Sequence, residues 1–264
     1  MNEILIPVLV FAVLGTLMGV ILAVASRLLA IKRDARIDAV QECLPGANCG
    51  GCGYAGCASL AEAIAKGEAK VNACPANSFE NVKKIAEIMG QSAEESTRMV
   101  AQVMCSGTHM VAKHRFEYKG ITDCHSAEVL AAGDKVCAAG CIGLGSCVEK
   151  CAFDAIRIVD DVAVVDREKC RACGVCVAEC PKRIIKLIPY DAKYFVKCAS
   201  PEKGKVVRDA CEAGCIGCRI CEKNCPEKAI HLEGDMAVID YAKCSGCGLC
   251  ASKCPRKIIR TPEK

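Results

Sequence analysis

The chain has 264 residues, 25 of them cysteine, with five Phe, five Tyr and no Trp. So few large apolar side chains exclude one large core, and an odd cysteine count excludes complete disulfide pairing; small modules that gain folding free energy from metal fit better. The net charge of +4, with basic and acidic residues intermixed, excludes a nucleic-acid surface.

From Ile4 to Ala25 there are 22 residues without a charge. As a helix they span about 33 Å, enough for a hydrocarbon layer of about 30 Å. Arg27, Lys32, Arg33 and Arg36 follow, against Asn2 and Glu3 ahead, so the positive-inside rule puts the remainder in the cytoplasm. The rival reading is a cleaved secretory signal, but the basic n-region is missing and the apolar run is long for one. Residues 1–30 are therefore read as a single-pass anchor in a bacterial or archaeal cell membrane. Gly15 and Gly19 form a small-xxx-small pair suited to a neighbouring membrane helix.

Residues 31–77 form the first module. Cys49, Cys52, Cys57 and Cys74 are separated by two, four and sixteen residues, three on a Gly-rich loop and the last before a proline. Backbone amides on such a loop turn toward the sulfurs and tune an iron–sulfur cluster. Zinc is the alternative by spacing alone, and Cys43 is an alternative ligand to Cys49. Residues 78–123 read as a helical linker. Ser92 and Glu95 make a capping box opening a second helix toward Met104.

The strongest regularity is a duplication at an offset of 74, seen between residues 124–197 and 198–264. Cys124, Cys137, Cys141, Cys147, Cys151, Cys170, Cys173, Cys176 and Cys180 recur as Cys198, Cys211, Cys215, Cys221, Cys225, Cys244, Cys247, Cys250 and Cys254. The flanking text agrees: VAVVDREKC against MAVIDYAKC, and CPKRII against CPRKII. The second repeat carries two complete C-x2-C-x2-C-x3-C-P runs, as in a two-cluster ferredoxin, in which the fourth cysteine of one run serves the other cluster. Cys215, Cys218, Cys221 and Cys254 then share one [4Fe–4S] cluster, and Cys244, Cys247, Cys250 and Cys225 the next.

The first repeat departs from the pattern, because Leu144 stands where Cys218 stands later. Cys137 is the nearest substitute. The expected sets are Cys137, Cys141, Cys147 and Cys180, and Cys170, Cys173, Cys176 and Cys151, with a [3Fe–4S] cluster and an idle Cys137 as the alternative. Ile156–Ile158 with Val162–Val165, and Ile230–Leu232 with Met236–Ile239, read as short paired strands. The fold expectation is α+β: an anchor helix, a small [4Fe–4S] module, a helical linker and two tandem 2[4Fe–4S] bacterial-ferredoxin-like domains. Five clusters use twenty cysteines. Cys43, Cys105, Cys124, Cys198 and Cys211 remain, and Cys105, Cys124, Cys198 and Cys211 offer a sixth cluster or simply buried thiols. His109, His114, His125 and His231 show no Rieske-like spacing, and no GxGxxG, P-loop or catalytic constellation is present.

The order of anchor helix, NCGGCGYAGC with Cys74-Pro, CIGLGSC and paired ferredoxin runs resembles the B subunit of Rnf complexes, membrane-bound ferredoxin:NAD oxidoreductases that pump sodium ions or protons. The resemblance covers essentially the whole chain. It implies electron input from soluble ferredoxin, relay to other membrane and peripheral subunits, and NAD and flavin held only by those partners. It implies membership of a translocase, with no catalytic residue in this chain. Ion translocation lies elsewhere, because the span has no internal ionisable residue. A polyferredoxin subunit of a membrane hydrogenase or formate dehydrogenase is the alternative in the same chemistry, and a zinc-bound structural protein the alternative outside it.

Overall fold

The computed structural model describes residues 2–28, 34–93 and 97–262. It opens with α1 (Asn2–Leu28). Among the described residues this is the one helix long and apolar enough to cross a membrane, over Val8–Arg27 with mean hydropathy 2.7 and no part of that window buried. The expected flanking Lys32 and Arg33 lie outside the described residues.

Three helices build the first module: α2 (Ala35–Glu42), α3 (Cys57–Lys66) and α4 (Phe79–Met89). Asp34 caps α2 by accepting from the Arg36 amide, and Ser78 caps α4 by accepting from the Asn81 amide. Gly67 and Gly90 end α3 and α4 in the left-handed conformation, which an L side chain resists. Val40, Leu60, Ile64 and Ile85 are buried between them. Apolar residues recur on one face of each helix, so packing supplies the stability that such short helices lack alone.

The second expected linker helix does not form among the described residues. Glu95 of the capping box lies outside the described residues, and Met99–Val103 forms strand β1 instead. Met99, Val100, Ala101 and Val103 suit an extended chain buried beside a partner, and tertiary pairing decides the outcome. Then follow α5 (Cys124–Val129), α6 (Ser146–Glu149), β2 (Ile156–Val159), β3 (Val162–Val165), α7 (Val175–Glu179) and β4 (Ile185–Pro189). β5 (Phe195–Val196) follows, and the second repeat contributes α8 (Gly204–Ala210), α9 (Ile220–Lys223), β6 (Ile230–Glu233), β7 (Met236–Ile239), α10 (Leu249–Lys253) and β8 (Ile259–Arg260).

The four two-stranded sheets are all antiparallel. The hairpins β2–β3 and β6–β7 pair Ile156 with Val165 and Ile230 with Ile239. Two further pairs join distant segments: β1 with β4, Val100 opposite Ile188, and β5 with β8, Val196 opposite Ile259. Each ferredoxin-like unit thus closes on a strand lying ahead of its cysteine runs. Just beyond each pairing the Met104 amide donates to the Ile184 carbonyl (2.8 Å), and the Lys197 amide to the Ile258 carbonyl (2.7 Å). The offset of 74 relates Ile184 to Ile258, so Met104 and Lys197 are structural equivalents although no repeat in the sequence relates them.

Candidate metal centres

In the first module, Cys49, Cys52, Cys57 and Cys74 line one cavity with Phe153, and its free space is about 330 Å³. The Asn48 side chain accepts from the Cys57 amide at 2.8 Å, tying the start of α3 to the Gly-rich loop. Cys43 packs against the apolar core of the module and does not line the cavity. Burial, chiefly, holds the Cys74 thiol above its usual value, with Cys52, Cys49 and Cys57 adding to it.

This cavity abuts the first ferredoxin-like unit. A Cβ on Gly51 would stand 2.3 Å from the Cys173 carbonyl oxygen, so only glycine permits the approach. Beyond that contact, burial pushes the Cys176 thiol up to about 12, and Cys170, Cys173 and Cys151 crowd it further. The Cys170 sulfur accepts from the Ala101 and Ala172 amides at 3.4 Å each, and the Cys151 sulfur from the Ala155 amide.

The other centre of this unit differs from the expected set. Burial pushes the Cys147 thiol up to about 12, and the neighbours that raise it further are Cys141, then Cys124, Cys180 and Cys176. Asp123 caps α5 from Ser126 and accepts from the Ser146 hydroxyl at 2.9 Å. The Ser146 oxygen in turn accepts from the Cys124 amide at 2.8 Å. These bonds seat the start of α5 on the start of α6, which sets Cys124 beside Cys147. Leu144 packs in the same small cluster as Cys124.

Cys137 lies elsewhere. Together with Cys105, Cys198 and Cys211 it lines a cavity of about 380 Å³ between the two repeats. The structure thus places Cys124 beside Cys147 and Cys137 with the leftover thiols, the reverse of the expected grouping. Chain proximity to Leu144 favoured Cys137, but Cys137, Ala139 and Gly140 line the cavity between the repeats. There the Lys182 ammonium grips the Ala138 carbonyl at 2.6 Å.

In the second unit Cys215, Cys218, Cys221 and Cys254 line a cavity of about 350 Å³. Cys225, Cys244, Cys247 and Cys250 line its neighbour of about 360 Å³. Each cavity thus draws its fourth cysteine from the other run. The four histidines bind side chains: His109 faces Asp161 at 3.1 Å, His114 Asp134 at 2.8 Å, His125 Glu179 at 3.3 Å and His231 Glu233 at 3.5 Å.

Buried thiols in groups of four are unfavourable as free thiolates, since burial and like charge both oppose ionisation. Bound iron removes that cost and requires the deprotonated form. The amides aimed at the sulfurs suit cluster ligation. Known families agree. Residues 44–76 match an Fe–S cluster model, residues 163–186 a 4Fe-4S binding domain, and residues 214–258 a 4Fe-4S dicluster domain. The chain is 44% identical over 244 residues to the B subunit of the Na(+)-translocating ferredoxin:NAD(+) oxidoreductase complex of Acetobacterium woodii, covering 92% of this chain and 73% of that one. It is 42% identical to the B subunit of the ion-translocating oxidoreductase complex of Methanosarcina acetivorans, covering 92% and 93%. With the B subunit of the proton-translocating ferredoxin:NAD(+) oxidoreductase complex of Clostridium ljungdahlii the figures are 38%, 91% and 85%. Shared over nine-tenths of its length with such relatives, and lined with cysteine cavities, the chain belongs to the B-subunit family of Rnf-type ion-translocating oxidoreductases and is an electron-transferring iron–sulfur subunit.

Proposed function

We propose that this subunit takes electrons from soluble reduced ferredoxin on the cytoplasmic side and passes them to partner subunits of an ion-translocating ferredoxin:NAD oxidoreductase. The carrying observation is the succession of cysteine groups along the chain, with the Gly51 loop of the first module packed directly on the Cys173 backbone of the next. [4Fe–4S] clusters, when bound, supply one-electron storage without proton or ligand loss.

The ligand sets are Cys49, Cys52, Cys57 and Cys74; Cys151, Cys170, Cys173 and Cys176; Cys124, Cys141, Cys147 and Cys180; Cys215, Cys218, Cys221 and Cys254; and Cys225, Cys244, Cys247 and Cys250. The amides of Ala101, Ala172, Ala155 and Ala229 donate to sulfurs and stabilise the reduced, more negative state. α1 anchors the chain as a single membrane span against lipid and neighbouring subunits, which its length and apolar surface support. NAD, flavin and the coupled ion belong to those partners.

The test is iron and acid-labile sulfide per chain on protein purified without oxygen, with EPR of the reduced sample. At least about 20 iron atoms with matching sulfide, four per cluster, supports the reading. Zinc without sulfide overturns it. Mixing with reduced ferredoxin should bleach the cluster absorption faster than the partner complex turns over.

A further inference from the structure

The four thiols between the repeats fall outside every ferredoxin run, yet they are arranged as a centre in their own right. We propose that Cys105, Cys137, Cys198 and Cys211 hold a sixth [4Fe–4S] cluster, and that this cluster joins the two ferredoxin-like units into one electron path. The inference rests on the five-cluster reading above, but its ligands are separate.

Three observations carry it. The first is symmetry. Cys105 follows β1 as Cys198 follows β5, and the Cys141 amide donates to the Cys105 sulfur (3.4 Å) as the Cys215 amide does to the Cys198 sulfur (3.3 Å). The Cys137 and Cys211 sulfurs accept from the Ala139 and Ala213 amides, which are again offset by 74. Each repeat therefore contributes an equivalent pair. The second is size. The cavity is comparable in extent to the three cysteine cavities that follow cluster motifs. Four thiols line it, as they line each of those. The third is charge. Lys182 and Arg256, also offset by 74, grip the loops that carry Cys137 and Cys211, Arg256 donating to the Cys211 carbonyl at 2.7 Å. Arg256 thus favours negative charge at Cys211 and Lys182 at Cys137, although Lys182 also pairs with Glu128.

The position explains its role. Cys141 and Cys215 are placed to ligate clusters on opposite repeats, and each backbone amide reaches a sulfur of the bridging set. One electron enters from the reduced cluster on one side and one leaves to the oxidised cluster on the other, with no bond made or broken.

The test compares the full chain with Cys105→Ser, Cys137→Ser and Cys124→Ser, all purified anaerobically, by iron, sulfide and EPR. The expected wild-type content is about 24 iron atoms, at four per cluster. Cys105→Ser and Cys137→Ser should each lose about four of them while the ferredoxin-type signals persist, and reduction should then stall part-way along the chain. About 20 iron atoms in wild type, unchanged in Cys105→Ser, would overturn the bridge and leave the five-cluster reading intact. Zinc bound by sulfur in wild type, detected at the zinc absorption edge and absent from Cys105→Ser, would also overturn it. Because serine can distort a site, Gly107→Ala gives a second probe. Its Cβ would stand 3.5 Å from the Cys105 sulfur and 3.8 Å from the Cys211 sulfur, so the sixth EPR signal alone should shift. A shift confined to the other five would count against the assignment.

Discussion

The two repeats share nine cysteine positions, yet they use them differently. The second is self-sufficient: Cys218 completes its first cavity, while Cys198 and Cys211 line the cavity between the repeats. The first has Leu144 at that place and draws Cys124 from α5 instead. The connection that makes this possible is long. Cys105 precedes Cys137 by 32 positions, whereas Cys198 precedes Cys211 by 13. The extra 19 residues carry α5, so the longer connection brings a thiol to the repeat in which Leu144 offers none. An offset in sequence is therefore not an equivalence in space: Cys124 aligns with Cys198, but Cys105 occupies its place.

The largest effect should come from testing that compensation. Cys124→Ala is expected to remove about four iron atoms, or to leave a three-iron cluster with its own EPR signature. Adding Leu144→Cys to Cys124→Ala should restore the four-iron signal, since residue 144 occupies the place of Cys218. Failure of the double variant to recover would show that Leu144 does not stand at the ligand position.

A similar loss is expected on the other side of the comparison. Cys254→Ala should damage the cluster built on Cys215, Cys218 and Cys221 and spare the one on Cys244, Cys247 and Cys250. EPR line shape separates the two, and selective loss of the second would show that the ligation is not crossed.

A smaller effect is expected where only the approach of modules changes. Gly51→Ala sets a Cβ against the Cys173 carbonyl, and the backbone must move apart to accept it. Iron content should stay constant while electron passage between the first module and the first repeat slows about tenfold, as read by freeze-quench EPR. Unchanged kinetics would separate that contact from the path.

The smallest effect concerns the brace of α5. Asp123→Ala removes its cap and the bond to Ser146. Thermal unfolding should shift by a few degrees, with earlier cluster loss in the first repeat than in the second. Equal loss in both would mean that Cys124 is held by other contacts.

Much of this was legible in one sequence, because cluster motifs are local. Four thiolates on a tight loop of fixed spacing need little from the fold, so the sets around Cys49, Cys215 and Cys244 emerge from spacing alone. The same locality makes the hairpins β2–β3 and β6–β7 readable, since a short turn fixes their register. What could not be read is long-range. Strand β1 looks like part of a helical linker until Val100 meets Ile188 across the unit. The choice between Cys124 and Cys137 depends on hydrogen bonds from Asp123 and Ser146, which lie 23 residues apart. The sequence by itself determined the chemistry: which metal clusters, on which motifs, behind which apolar helix. Only the tertiary structure decided how the remaining thiols are shared, because a fourth ligand is chosen by distance in space and the chain leaves several within reach.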